Sequence, residues 1–283
     1  MNYLPENYEG SWTLSNSVFR SGICLHSGIE SSVSLSSSEQ PGFYVSSIKN
    51  GFPPTKLIKE QILESQLCTT INLGKFSLST VEHLLAALAG CGLTHVQIDV
   101  SGEEIPLLDG SALEWVKAVQ DAGIKPASSK RDSSPVISQP LVIHRGESVI
   151  TATPADKFKI IGIIDFPYKA IGRQVFTFNS SPEEFLREIA PARTFGFLDQ
   201  LEYLKKSGLI KGGNLDNALV CDGDHWVNPP LRFYDEPVRH KILDLIGDLA
   251  IVGFPKAQVL VYRGSHGLHA DFASALAQNC SLA

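Results

Sequence analysis

The sequence predicts an α+β protein made of two similar domains, each with helices layered on a sheet. Short runs with the composition of strands alternate with longer runs of helical periodicity along the whole chain. Both halves share one order of elements: a helix with a polar cluster, a strand, a glycine-rich loop and another helix. His83 and loop residue Asp109 are separated by as many positions as His240 and loop residue His266. This repeat indicates a duplicated unit, and two such layers packed face to face leave a cleft between them.

The linker between the halves is predicted over residues 125–135, where serine, proline and charged residues replace periodic apolar ones. We therefore expect an N-terminal domain over residues 1–127 and a C-terminal domain over residues 128–283. In the first half, strands are predicted over 31–37, 69–74 and 95–102, and helices over 80–90 and 111–123. In the second half, strands are predicted over 141–146, 159–166, 174–179 and 258–264, and helices over 181–190, 237–253 and 269–278.

Composition and charge exclude several classes of function. The 283 residues carry a formal net charge of −6, so no broad basic face is expected and nucleic acid is not a predicted partner. The five cysteines are odd in number, widely spaced and without a C-x-x-C pair, which argues against a disulfide framework and a cysteine-based zinc site. The sequence shows no leader pattern and no apolar stretch of the roughly 18 residues that a membrane span needs. We therefore expect a soluble, cytoplasmic protein, and no feature implies an obligate protein partner.

A polar pair, Glu82 and His83, interrupts the otherwise apolar helical stretch TVEHLLAALAG over residues 80–90. Ser79 followed by Glu82 matches a capping box, in which the glutamate bonds back to the helix start and has a structural role. The helix dipole disfavours imidazolium near an N-terminus, so His83 keeps a neutral ring with a lone pair available for a metal. This stretch alone leaves Glu82 with two interpretations, a helix cap or a catalytic group.

A second polar cluster lies in DEPVRHKILDLIGDLA, residues 235–250. Pro237 suits the first turn of a helix, which places His240 and Asp244 one turn apart on one face and Asp248 one turn further along. A hydrogen bond between the histidine and the first aspartate would explain that pair without a metal. The H-x-x-x-D spacing by itself leaves both interpretations open.

The two clusters complement each other. His83, His240 and Asp244 form the set of two histidines and one carboxylate that leaves a catalytic zinc one open position for water. Zinc lowers the pKa of bound water to about 7, and Glu82, adjacent to a ligand, is placed to complete the deprotonation as general base. His266 of the glycine-flanked loop YRGSHGL is a candidate proton donor to a leaving group, and the nearby His269 is the alternative that spacing disfavours.

Several motifs occur in an order that resembles the zinc-dependent UDP-3-O-acyl-N-acetylglucosamine deacetylases of lipid A biosynthesis. They are STVEHLLAALAG, EIPLLDGSA, ARTFGF, GLIKGGNLDNALV, VRHKILDLIGDL, YRGSHGL and the early loop GICLHSG. Since they extend from near the N-terminus to the last predicted helix, the resemblance covers nearly the whole chain. It implies two similar α+β domains with the active site between them, and removal of acetate from the amide of an acylated UDP-sugar.

The resemblance also implies roles for individual residues. The implied zinc ligands are His83, His240 and Asp244. The implied catalytic residues are Glu82 as general base, Thr194 as the hydroxyl that stabilises the oxyanion, and His266 as a charged acid or stabiliser held by Asp248. The implied contacts to the nucleotide-sugar are Lys241, Phe195, Arg263 and the uracil-stacking Phe166. These roles suit amide hydrolysis, because zinc, a hydroxyl and a protonated imidazole can surround the negatively charged oxygen that forms.

The segment near 207–224 resembles the insert that forms a passage for the acyl chain of the substrate. The sequence departs from the family pattern at Cys24, where glycine is common, and at His269, which stands near a position often occupied by asparagine. Two alternatives remain: a zinc amidohydrolase of the same fold with a different N-acyl substrate, and a non-catalytic binding or scaffold module built from a duplicated α+β unit.

Overall fold

The computed structural model describes residues 4–47, 49–63 and 67–282, with side chains to residue 278. Its helices are α1 (Glu82–Gly90), α2 (Leu113–Ala122), α3 (Pro182–Glu184), α4 (Leu198–Lys206), α5 (Glu236–Leu249) and α6 (His266–Asn279). A 3₁₀ turn lies at Lys59–Gln61 and a π-helical turn at Phe185–Ile189. None of the helices in this described part of the chain combines the length and apolarity needed to cross a bilayer.

The strands fall into two groups along the chain. Those of the first half are β1 (Trp12–Leu14), β2 (Val18–Ile23), β3 (Glu30–Ser37), β4 (Gly42–Ser47), β5 (Phe52–Lys56), β6 (Ile62–Leu63), β7 (Thr70–Asn72), β8 (Ser77–Ser79), β9 (His95–Val100) and β10 (Ile124–Pro126). Those of the second half are β11 (Pro135–Ile137), β12 (Leu141–Arg145), β13 (Ser148–Pro154), β14 (Lys159–Asp165), β15 (Arg173–Asn179), β16 (Phe195–Phe197), β17 (Leu219–Asp222), β18 (His225–Trp226), β19 (Ala257–Tyr262) and β20 (Cys280–Leu282).

The two large sheets repeat one topology. In the first sheet, the strands β2-β3-β9-β4-β5 lie side by side, and β9 is antiparallel to β3 but parallel to β4. In the second sheet, β12-β13-β19-β14-β15 repeat this order, and β19 is antiparallel to β13 but parallel to β14. Strands β1 and β10 extend the first sheet beside β9. The repeated order confirms the predicted α+β class with two similar units.

Side-chain alternation explains why these segments form half-buried strands. In β3, Val33 and Leu35 point into the core, and serines occupy most of the positions between and beside them. In β14, Ile160 and Ile164 are buried and alternate with less buried neighbours. Each sheet therefore offers one apolar face on which helices pack.

Helices α1 and α5 occupy equivalent places in the two units and pack directly against each other. Gly247 of α5 permits this, since a Cβ at that position would lie 2.1 Å from the carbonyl oxygen of Glu82. Every residue of α1 is buried, as expected for a helix that continues with leucine, alanine and glycine after its two polar residues. The main cluster of buried apolar side chains accordingly passes from one unit into the other through both helices.

Three small sheets of the described residues lie outside the repeat, and they consist of β6-β7-β8, β16-β17-β18 and the pair β11-β20. The segment that follows α4 crosses to the first half of the chain, where the amide of Lys211 donates to the carbonyl of His26 and the amide of Gly212 to that of Leu25. At Gly212, a Cβ would lie 2.2 Å from the carbonyl oxygen of Cys24. The predicted insert 207–224 is therefore docked on the early loop GICLHSG.

The predicted elements mostly agree with the structure, and the differences lie at their ends. The predicted helix 237–253 ends at Leu249, and the predicted helix 181–190 is a short α-helical turn that continues as a π-helical one. Residue His266, predicted in a loop, is the first residue of α6. The irregular part of the predicted linker is limited to residues 127–134, between β10 and β11. The division into domains at residues 127 and 128 stays a prediction.

Candidate metal centre and active-site cleft

The polar clusters of α1 and α5 meet where the two helices cross. His83 lies in the first turn of α1, and His240 and Asp244 lie one turn apart on α5. All three side chains are buried. The Nε2 atom of His83 is 3.8 Å from Oδ1 of Asp244, and Nε2 of His240 is 3.4 Å from the same oxygen. The structure thus brings together the three residues that the sequence predicts as metal ligands.

The donor atoms of this set fit a divalent metal ion. One ligand atom from each residue lies within 4.8 Å of the others. Nδ1 of His240 is 3.0 Å from the carbonyl oxygen of Ala192, to which it donates, and this leaves the lone pair on Nε2, which faces Asp244. Nδ1 of His83 is buried and has no hydrogen-bond partner among the described groups. Burial lowers the pKa of His240, and it lowers that of His83 to about 3, so both rings stay neutral as metal ligands must.

Glu82 is not part of a capping box. The residue that caps α1 is Val81, whose apolar side chain makes no capping hydrogen bond. The carboxylate instead lines the cleft, and its Oε2 accepts a hydrogen bond of 3.0 Å from the backbone amide of Thr69. Burial raises the pKa of Glu82 to about 8. The structural interpretation of Glu82 as a helix cap is therefore wrong, and the side chain is free to act on a ligand.

Asp248 anchors a hydrogen-bonded network beside the three predicted ligands. Its Oδ2 is 2.8 Å from Nδ1 of His266 and 2.7 Å from Nδ1 of His269, and its Oδ1 accepts a bond of 2.5 Å from the hydroxyl of Thr69. His266 lines the cleft, whereas His269 is completely buried behind it. The structure thus pairs His266 with Asp248 as predicted, and it adds Thr69 and His269, which no sequence pattern had linked to Asp248.

The network sets the charge of His266. Burial alone would lower its pKa, but the adjacent Asp248 carboxylate outweighs burial and raises the pKa of His266 to about 10. Burial likewise opposes ionisation of Asp248, yet the charge and hydrogen bond of His266 hold the pKa of that carboxyl well below its usual range. His266 is therefore an imidazolium at neutral pH and can both stabilise an anion and donate a proton.

A cavity of about 740 Å³ opens beside these residues. Thr194, Phe195, Phe166 and Lys241 all line it, as do Glu82 and His83. Nζ of Lys241 is 2.7 Å from Oδ2 of Asp244, and although burial opposes its charge, that carboxylate raises the pKa of Lys241. The ammonium group is therefore charged at the wall of the cavity.

Arg263 is the one predicted contact residue that is absent from the cavity wall among the described residues. Its guanidinium pairs with Glu147 and lies 3.7 Å from Asp165. Arg145 at the end of β12 lines the cavity instead and pairs with Asp271. No sequence motif had singled out Arg145, because an isolated arginine at a strand end has no distinctive pattern.

The segment from β16 to β17 contributes apolar side chains to the cavity lining, and we call this part of the lining the apolar passage. Its side chains come from β16, α4 and the docked insert, and they are Phe195, Phe197, Leu201, Leu204, Ile210 and Val220. Leu25 of the early loop completes the wall from the first half of the chain. The predicted insert near 207–224 therefore contributes to this apolar surface next to the polar cluster.

Comparisons with known proteins agree with these observations. The family model described as UDP-3-O-acyl N-acetylglycosamine deacetylase (LpxC) matches residues 11–278. A UDP-3-O-acyl-N-acetylglucosamine deacetylase of Trichormus variabilis is 45% identical over 270 residues, covering 92% of this chain and 96% of that protein. The protein of the same name from Thermosynechococcus vestitus is 45% identical over 269 residues, covering 94% and 93%.

A plant protein is also similar. The probable UDP-3-O-acyl-N-acetylglucosamine deacetylase 1 of Arabidopsis thaliana, named mitochondrial, is 40% identical over 283 aligned positions, covering 92% of this chain and 86% of the plant protein. Its name assigns it to an organelle, so the predicted cytoplasmic location of the present protein stays a prediction. The match to the family model over almost the entire length, together with the bacterial relatives, shows that this chain belongs to the UDP-3-O-acyl N-acetylglycosamine deacetylase family.

Proposed function

We propose that this protein is a zinc-dependent hydrolase that removes acetate from the acetamide of UDP-3-O-acyl-N-acetylglucosamine. The products are UDP-3-O-acyl-glucosamine and acetate, and the reaction is a committed step of lipid A biosynthesis. The single observation that carries this proposal is the convergence of His83, His240 and Asp244 at the wall of a cavity that is lined by both polar and apolar side chains. The names of the bacterial relatives supply the substrate.

His83, His240 and Asp244 would hold the zinc ion through two imidazole nitrogens and one carboxylate oxygen. Two histidines and one carboxylate are a donor set typical of catalytic zinc, since three protein ligands leave a coordination position for water or substrate. When bound, zinc supplies a Lewis acid that lowers the pKa of water and polarises the acetamide carbonyl. Burial of the three ligands keeps competing bulk water away from them.

Glu82 takes a proton from the attacking water while the oxygen of that water forms a bond to the carbonyl carbon of the acetamide. The hydrogen bond from the Thr69 amide orients the carboxylate. A pKa raised by burial gives the carboxylate more proton affinity than an exposed glutamate, which suits a general base near neutral pH. Glu82 is therefore the residue from which we expect the largest effect on the chemical step.

Thr194 and His266 act on the oxygen and nitrogen of the scissile amide. The Thr194 hydroxyl donates to the carbonyl oxygen as negative charge develops on it, and the charged His266 adds to this stabilisation. His266 then gives a proton to the amine nitrogen as the C–N bond breaks, and Asp248 holds the ring in position. The proton gained by Glu82 balances the one lost by His266, and the second proton of the water stays on the new carboxyl group. The products are therefore a neutral amine and acetic acid, and the acid loses its proton to solvent to give acetate.

The rest of the cavity binds the remainder of the substrate. Lys241 meets the diphosphate as a point charge, and Phe195 and Phe166, whose ring centroids are 5.6 Å apart, offer aromatic surfaces to the nucleotide-sugar. The apolar passage receives the acyl chain. Arg263 pairs with Glu147 and does not line the described cavity, so we assign it the weakest contact with the nucleotide.

Incubation of the purified protein with acylated UDP-N-acetylglucosamine, followed by mass spectrometry, tests this function. Loss of one acetyl group, abolished by a chelator and restored by zinc, is the expected result. A protein that binds zinc but leaves this substrate unchanged would be an amidohydrolase for another N-acyl compound. A protein that binds no metal and has no turnover would be a binding module, and the proposal would be abandoned.

A further inference from the structure

We propose that the ion pair between the partly buried Arg193 and the fully buried Glu236 positions the backbone of the active site. The pair fixes the backbone of Arg193. This residue lies between Ala192, whose carbonyl oxygen orients His240, and Thr194, to which we assign stabilisation of the oxyanion. This inference rests on the proposed function for the meaning of Thr194, and it concerns two residues that contact neither the substrate nor the metal ligands directly.

Glu236 is the first residue of α5 and is fully buried. Its Oε1 accepts from the backbone amide of Arg193 and from Nε of the same arginine, both at 2.9 Å. Its Oε2 accepts from Nη2 of Arg193 at 3.2 Å and from the backbone amide of Arg232 at 2.6 Å. One carboxylate thus receives four hydrogen bonds, three of them from a single residue.

The guanidinium is held from its other side as well. Nη2 of Arg193 donates to the carbonyl oxygen of Pro230 at 3.0 Å. An arginine in bidentate contact with a carboxylate has a fixed orientation, because two parallel hydrogen bonds restrict its rotation more than a single one. Because the backbone amide of Arg193 is bonded to the same carboxylate, the main chain at this residue is fixed relative to the start of α5.

Ala192 and Thr194, on either side of Arg193, have the two roles that require a precisely fixed backbone. The carbonyl oxygen of Ala192 accepts from Nδ1 of His240 and thereby sets the tautomer and ring orientation of that histidine. Thr194 lines the cleft, and its backbone is bonded to Gly110 through its amide and to Leu219 through its carbonyl. The ion pair therefore anchors the middle of a three-residue segment whose two ends reach the ligand and the oxyanion site.

Energetics favour a positioning role over a purely stabilising one. A buried ion pair contributes little net stability, because the desolvation of both charges offsets most of their attraction. The chain nevertheless places this pair at the start of the helix that carries His240 and Asp244. A displacement of about 1 Å at a reacting group can cost about a hundredfold in rate, so geometric precision is what the pair provides.

Asp235 supplies a matched control. It precedes Glu236, is also buried, and its Oδ1 accepts from Nε of Arg239 at 2.6 Å in a second ion pair at the same helix end. The Arg239 guanidinium lies against the rings of Phe176 and Phe233 and also donates to Glu188, so its contacts with these residues do not include Arg193 or Thr194. Asp235→Asn therefore weakens a buried ion pair of α5 without touching the Arg193 contacts.

The kinetic experiment compares Glu236→Gln, Glu236→Ala and Asp235→Asn as zinc-loaded proteins with the acylated UDP-sugar. We expect kcat to fall about 10-fold to 100-fold in the Glu236 variants, more in alanine than in glutamine, with KM within about threefold, because substrate-binding residues are unchanged. Asp235→Asn should keep kcat within about twofold. A normal kcat in folded Glu236→Gln, or an equal loss of kcat in Asp235→Asn, would overturn the proposal.

A second readout does not depend on activity. Hydrogen exchange of the metal-free proteins, followed on peptides that cover residues 190–197, should be faster in the Glu236 variants and unchanged in Asp235→Asn. If the Glu236 variants do not fold, Arg193→Gln is measured in the same way, and unaltered exchange together with normal kcat would refute the positioning role. If the wild-type protein leaves the UDP-sugar intact, the proposed function fails, and the exchange experiment still decides whether the pair fixes this segment.

Discussion

The rings of His83 and His240 lie with their centroids 4.9 Å apart and their planes at 87° to each other. They belong to α1 and α5, which hold equivalent places in the two repeated units. A metal bound between them would therefore join the two halves of the protein as well as catalyse a reaction. Metal binding can therefore be measured through the thermal stability of the protein, without any substrate.

Removal of the metal should lower the thermal stability of the protein. A ligand that binds only the folded state at about a thousandfold above its Kd contributes about 4 kcal/mol. We therefore expect chelation to lower the Tm by several degrees, measured by calorimetry, and zinc to restore it. His240→Ala should bind about one equivalent less metal by elemental analysis and should respond little to the chelator. A Tm identical with and without metal would contradict the assignment of the ligands.

Glu82→Gln should separate metal binding from catalysis. The amide keeps the size of the side chain but cannot take a proton from water, so kcat should fall by about a hundredfold to ten-thousandfold. Metal content should equal that of the wild-type protein, because the three proposed ligands His83, His240 and Asp244 are unchanged. Nearly normal turnover in this variant would show that another group is the base.

The pH dependence of kcat/KM should be bell-shaped, with opposite signs for the two catalytic groups. Glu82 must be ionised, so activity falls as the pH decreases through its pKa, which burial raises to about 8 in the metal-free protein. His266 must be protonated, so activity falls as the pH increases through its pKa, which Asp248, against the effect of burial, raises to about 10. A cation at the adjacent site shifts both limbs to lower pH, since it favours the deprotonated form of each group.

Asp248→Asn tests the alkaline limb of that profile. Without the neighbouring carboxylate the pKa of His266 should fall, so the loss of activity should begin at a lower pH than in the wild-type protein. The acidic limb should change less. An alkaline limb that does not move would mean that it reports a group other than His266.

Thr194→Val should damage the chemical step and spare binding. Loss of one donor to a developing oxyanion typically lowers kcat about a hundredfold or more, whereas the β-branched shape of valine preserves the backbone contacts to Gly110 and Leu219. Thr194→Ser retains the hydroxyl and serves as the control. Equal activity of the valine and serine variants in steady-state kinetics would exclude the hydroxyl from the mechanism.

Ala218→Phe should narrow the apolar passage, since this alanine lines the cavity near Val220. We expect KM for a long-chain substrate to rise about tenfold or more, with little change for a substrate that carries a short acyl group. The short-chain substrate is the internal control for folding and catalysis. A variant with the same acyl preference as the wild-type protein would indicate that the chain binds elsewhere.

The local patterns of the sequence predicted the helices and strands around the site with moderate shifts at their ends. Apolar periodicity is a local property, so it located α1, α5 and four of the five strands of the second sheet, while β13 was not predicted. The role of Glu82 could not be decided in this way, because a capping box and a catalytic carboxylate have the same local sequence. Thr69 and His269 were missed as partners of Asp248, since each lies far along the chain from the contact it makes.

The sequence by itself determined the fold class, the repeat of elements and the three residues proposed as metal ligands. Periodicity, spacing and residue chemistry are local properties, so they can be recognised without the tertiary structure. The tertiary structure alone decided which polar side chains meet. The close crossing of α1 and α5 at Gly247 places His83 beside Asp244, and the packing of α6 places His266 on Asp248. Long-range contacts of this kind arise from the fit of whole helices and sheets, so no stretch of a few residues encodes them.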